Sequence, residues 1–127
     1  MRGRMLAVAA YRGDRETVKE LLTAGADPNE RSLDGWTTLM YGTLSGDSET
    51  VRALLDAGAA VNARAPDGST ALLKATLWGH SEVIELLLGS GADVTAQDID
   101  GWTALKIARE KGHGQIIRVL EGAGAEE

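Results

Sequence analysis

The sequence predicts an all-α solenoid of stacked helix–turn–helix units with short β-turn or hairpin connections. Three observations predict it. Glycines recur every 33 residues, as Gly13, Gly46, Gly79 and Gly112, again as Gly25, Gly58, Gly91 and Gly124, and again as Gly35, Gly68 and Gly101. Apolar residues keep the same phase: Leu6, Leu39, Leu72 and Leu105 hold one slot, Leu21, Leu54, Leu87 and Leu120 a second, and Val18, Val51, Ile84 and Ile117 a third. Aromatics make up only 4% of the chain and Phe is missing, so Leu and Ala must build the core. Such a core suits close-packed short helices better than a sandwich of strands. A fixed period without insertion or deletion marks a repeat architecture, whose units bury their apolar faces against one another.

One period shows how each unit is built. Asp67-Gly68 is a turn signal, because glycine accepts positive φ and aspartate favours turns; Asp34-Gly35 and Asp100-Gly101 repeat it. Thr70 stands where a hydroxyl can cap a helix, and Leu72, Ala75 and Thr76 follow at helical spacing until Gly79 ends the run. A second helix follows, with Ser81 as its expected cap. Val83, Ile84, Leu87 and Leu88 form its apolar stripe, and Gly91 stops it. The chain of 127 residues is expected to form a single domain with units at about 1–31, 32–64, 65–97 and 98–127. The end units are expected to act as caps. No turn segment precedes Leu6, and Arg118, Glu121, Glu126 and Glu127 make the last outer face polar, as a complete array would require.

The pattern Asp67-Gly68-Ser69-Thr70-Ala71-Leu72, then Gly79-His80, then Leu86-Leu87-Leu88 and Gly91-Ala92-Asp93-Val94, resembles the ankyrin repeat. The resemblance covers nearly all of residues 5–125. It implies a protein-binding module that acts as adaptor, inhibitor or anchor. The family's Thr-Pro-Leu-His becomes Thr37-Thr38-Leu39-Met40, Thr70-Ala71-Leu72-Leu73 and Thr103-Ala104-Leu105-Lys106, without the proline or the histidine. The turn-to-helix joints are therefore expected to lack the family's threonine–histidine bonding and to be less rigid.

In proteins similar to this one, contacts come from turn tips and the concave inner-helix face. Carried onto this sequence, those slots are Tyr11, Arg12 and Arg31 in and after the first unit, and Leu33, Asp34, Trp36, Leu44 and Ser45 in the second. Arg64 joins Pro66, Asp67, Ser69, Leu77 and Trp78 for the third unit, and Ile99, Asp100, Trp102, Glu110 and Lys111 complete the fourth. All three tryptophans fall in these slots. A ladder of Trp36, Trp78 and Trp102 left in water would mark a contact surface, since tryptophan is enriched in interface hot spots. Trp36 and Trp102 have a second reading, in which they lie on the neighbouring turn and cover its backbone. The expected partner is another protein, through an apolar and basic segment facing the turn aspartates. The alternatives are a homodimer through the exposed tryptophans, a structural repeat protein, and an enzyme or small-ligand binder whose site carries no recognisable motif.

Composition narrows the remaining classes. A net charge of −6 and a pI near 4.9 argue against nucleic acid and against an anionic membrane surface. The chain has no cysteine, which removes disulfides, thiolates and Cys-based zinc sites and fits the cytoplasm. No apolar run suits a signal peptide or a membrane span. His80 and His113 share one slot in successive units, about 10 Å apart at helix-packing distance, too far for one metal ion. They are expected to tie the turn to the second helix. No catalytic residue, cofactor site or metal site is expected, because no base pairs with a nucleophile and no glycine-rich loop follows a strand.

Overall fold

The computed structural model describes residues 2–126. Eight helices follow one another: α1 (Arg2–Arg12), α2 (Arg15–Thr23), α3 (Thr38–Ser45), α4 (Ser48–Asp56), α5 (Ala71–Trp78), α6 (Ser81–Gly89), α7 (Ala104–Lys111) and α8 (Gly114–Gly122). The odd-numbered helices pack in one row, α1 on α3 on α5 on α7, and the even-numbered helices form a second row behind it. No strand forms among the described residues. The connections are tight turns, and Arg31 and Thr37 make the single antiparallel bridge. In each turn one more backbone bond closes the neck: Ser32 N–H to Trp36 O at 2.9 Å, Ala65 N–H to Ser69 O at 2.8 Å, and Asp98 N–H to Trp102 O at 3.1 Å.

The periodic apolar slots are the core. Leu6, Leu39, Leu72 and Leu105 are buried, as are Val18, Val51, Ile84, Leu54, Leu87 and Leu120. Leu21 in the first unit and Ile117 in the last are only partly buried. Each belongs to an end unit, which is covered from one side. Met5 shows the same effect: it is exposed, while Thr38, Ala71 and Ala104 in its slot are buried. At the other end Arg118, Glu121 and Glu126 are exposed, and Glu127 lies outside the described residues.

Local chemistry sets the helix ends. The hydroxyls of Thr37, Thr70 and Thr103 accept the N–H of Met40, Leu73 and Lys106 at 3.2, 3.3 and 3.2 Å. The threonine half of the cap therefore survives without the family histidine. In α3 the sulfur of Met40 supplies the other half, accepting the Thr37 N–H at 3.4 Å. Asp14 and Asp47 cap α2 and α4 through the N–H of Thr17 and Thr50. The same slot in α6 is His80, so Ser81 is the first helical residue and not the cap expected of it. Neither His80 nor His113 bonds its helix through the side chain. The expected tie to the second helix is replaced by packing on the preceding unit. Gly46 shows why that slot needs glycine: its φ is +73°, and a Cβ there would lie 2.7 Å from the His80 ring.

Polar bonds stitch each unit to the next. Asn29 donates to Gly58 O at 3.0 Å and accepts from the Ala60 N–H at 2.7 Å. One period later, Asn62 donates to Gly91 O at 3.1 Å and accepts from the Asp93 N–H at 2.8 Å. Two residues on, Arg31 donates to Gly35 O and Arg64 O at 2.8 and 2.7 Å, and Arg64 donates to Gly68 O and Gln97 O at 2.9 and 2.7 Å. Each arginine closes its own turn and grips the next.

Two substitutions test these assignments. Asn62→Ala removes both bonds to the following unit and is expected to cost about 1–3 kcal/mol in a denaturant melt. A loss indistinguishable from zero would remove Asn62 from the interface. Thr38 is the first residue of α3, and its hydroxyl is buried without a hydrogen-bond partner. Proline suits that position, and Thr37 before it is already extended, at φ −84° and ψ 162°. Thr38→Pro is expected to raise stability by about 1 kcal/mol, seen as a higher Tm.

Candidate functional site

The face formed by the turns and the inner helices carries the large apolar side chains that the fold leaves in water. Leu33 at the second turn tip is fully exposed. Tyr11, Leu77 and Ile99 are also exposed, as are Trp78 at 61% and Trp102 at 37%. Two open clefts lie on this face. One, of about 670 Å³, runs between α1 and the second turn and is lined by Val8, Tyr11, Leu33 and Tyr41, with Arg4, Arg12, Glu30 and Asp34 as its charged lining. The other, of about 290 Å³, lies between α5, α7 and the fourth turn and is lined by Leu77, Trp102 and Ile107, with Asp98, Glu110 and Lys111.

The middle of the face is filled from within. Trp36 is partly buried, and the Nζ of Lys74 sits 3.5 Å from its ring centroid. Tyr41 packs beside the same indole with centroids 5.3 Å apart, and Tyr11 meets Tyr41 edge-on at 6.4 Å. The Tyr41 hydroxyl donates to Asp34 at 3.0 Å, and Ser32 also bonds this carboxylate. The Ser32 hydroxyl and the Trp36 N–H hold the Asp34 carboxyl below the usual carboxylate range. The Ser69 hydroxyl and N–H do the same to Asp67. Lys74 is 7% exposed, and burial pulls its ammonium below the ordinary lysine value of 10.5 against the attraction of Asp67 and Asp34.

Several expected contact residues have other work. Arg31 and Arg64 spend their guanidinium groups on backbone carbonyls, as described above. Ser69 is buried and bonds Asp67 at 2.7 Å, so it closes its turn. Leu44 is half-buried. Trp36 lies under Lys74, so the three-tryptophan ladder is interrupted at its first rung, and Trp78 and Trp102 remain exposed. Asp100, Pro66, Arg12, Glu110 and Lys111 are exposed as expected.

Residues 6–98 match a family model of three ankyrin repeats, and residues 82–121 match a second ankyrin-repeat model. The chain belongs to the ankyrin repeat family. A search of curated proteins finds no match. Ankyrin repeats are, as a class, protein–protein interaction modules and typically carry no enzymatic activity. No group of three or more His, Asp or Glu side chains able to hold a metal ion occurs among the described residues. None of the described helices is long and apolar enough to cross a membrane.

Sequence reasoning missed Val8, Tyr41, Lys74 and Ile107. These four share one slot of the ankyrin period, a single helical turn before the slot of Tyr11, Leu44, Leu77 and Glu110. Their signal was present: four unlike side chains at 33-residue spacing, on the face that i and i+3 positions share.

The buried ammonium gives a test with a sign. The folded state disfavours the charged form of Lys74, so its contribution to stability is highest above 10.5 and falls as pH drops through the depressed folded-state value. Lys74→Met keeps the packing on Trp36 and removes the desolvated charge. It is expected to raise Tm at pH 7, with a gain that shrinks as pH rises toward 10.5. A lower Tm at pH 7 would show instead that the contact with the indole outweighs desolvation.

Proposed function

We propose that this ankyrin protein binds another protein through its turn tips and concave inner-helix face, acting as an adaptor, inhibitor or anchor. The observation that carries the reading is the exposure of Leu77, Trp78, Ile99 and Trp102, four large apolar side chains on the last two units, of which Leu77 and Trp102 line one cleft. Large apolar side chains gathered in water on one face mark a contact surface. The acidic balance of the chain, at −6, favours encounter with a basic partner segment. The absence of cysteine supports a cytoplasmic setting. The binding role requires no cofactor.

The same apolar side chains support a second reading, a homodimer. Sedimentation at two concentrations separates the readings: a monomer at both favours a different partner, and a concentration-dependent dimer favours self-association.

Trp78→Ala is the direct test. The side chain is 61% exposed, so its removal is expected to change stability by no more than about 0.5 kcal/mol. A partner captured from native lysate by wild type and lost with Trp78→Ala would support both function and site. An identical set of captured proteins would remove Trp78 from the contact.

A further inference from the structure

We propose that the partner of this face is an extended, unstructured peptide segment with two bulky apolar anchors about six residues apart and basic residues between them. The inference rests on the protein-binding reading above and specifies what is bound. The two clefts do not join. One sits where the first and second units meet, the other where the third and fourth meet, and the Lys74–Trp36 stack fills the face between them. A helical partner lays a continuous apolar stripe into a continuous groove, and here the Lys74–Trp36 stack interrupts the face between the two clefts. Separate seats suit an extended chain, which sends alternate side chains to one side and meets discrete pockets.

Geometry sets the spacing. The clefts are two repeats apart, and packed helices lie about 10 Å apart, so the seats are separated by about 20 Å. An extended chain rises about 3.3 Å per residue, so the anchors fall at i and i+6, an even separation that keeps both on one side. A helix would need about 14 residues for the same reach.

Charge sets the residues between the anchors. Positions i+2 and i+4 face the filled middle, where no cleft accepts an apolar side chain. Asp34 on the wall of the first cleft and Asp67 one unit further on are both exposed, and their hydrogen bonds keep both ionised. The ammonium of Lys74 lies over the Trp36 ring in a side chain that is 7% exposed, while the two carboxylates face water. Lys or Arg at i+2 and i+4 can reach both.

The test is selection of a random 16-residue peptide library on the full chain, followed by affinity measurements on a synthetic consensus peptide. The expected consensus has Leu, Phe or Trp at two positions six apart, with Lys or Arg between. Val8 and Leu77 are both exposed, one in each cleft. Val8→Asp and Leu77→Asp are each expected to weaken the consensus peptide about tenfold or more. Each is also expected to erase selection for one anchor only. Asp67→Asn keeps the turn chemistry and is expected to weaken binding and flatten its salt dependence. Melting curves confirm that each variant is folded. A consensus with one anchor, or with anchors at any other spacing, overturns this inference and leaves protein binding standing. No peptide enriched over the Val8→Asp/Leu77→Asp double variant overturns the inference and the reading of this face as a peptide-binding surface together.

Discussion

Each helix pair in this chain has an apolar side that only the next pair can cover, and the rest of the molecule follows from that dependence. Leu39, Leu72 and Leu105 are buried because an inner helix stands on at least one side of each, and Leu54 and Leu87 are buried in the same way in the outer row. Where a neighbour is missing the side chain opens to water, as Met5 shows. Stability in such a stack is a sum over units and their interfaces, and no contact between distant elements holds the ends together. The stitching by Asn29, Asn62, Arg31 and Arg64 adds direction to the apolar contact. Each bond has one correct partner in the next unit, so units cannot slide against each other without leaving polar groups unpaired.

The same dependence shapes the binding face. A regular stack would repeat one surface four times. Here the slot of Val8, Tyr41, Lys74 and Ile107 changes character from unit to unit. Lys74 lies over Trp36 and closes the middle, while Val8 and Tyr41 line the cleft at one end and Ile107 the cleft at the other. Partial desolvation of the Lys74 ammonium works against folding, and its contact with the Trp36 indole works for it. A charge held at such a position makes more sense for shaping a surface than for holding the fold.

Much of the fold was legible in the residues. The 33-residue phase of Leu72, Ile84, Leu87 and Gly79 gave the helices, their order and their buried sides. Thr70 and its equivalents gave the inner-helix caps. The outer-helix caps were less legible, since Ser81 competes with His80 for the role, and only the matching Asp14 and Asp47 show which residue stays outside the helix. The candidate site was legible in outline only. Trp78 and Trp102 stand in exposed slots as their phase suggests. Trp36 shares the Trp102 slot and is covered, because Lys74 reaches it from the next unit, and the phase that equates two residues says nothing of what leans on each.

The sequence by itself determined the repeat, the helical class, the turn positions and the residues of the core. Those follow from local backbone preference and from an apolar period, both written in consecutive residues. Tertiary structure alone decided which surface residues are free. Arg31, Arg64 and Ser69 look like contact residues until their partners 4, 33 and 2 positions away are seen. A long polar side chain can reach any of several acceptors, and only the packing of one unit on another places a carbonyl within reach. The division of the face into two clefts was decided in the same way, by the meeting of one lysine with one indole across the boundary between units.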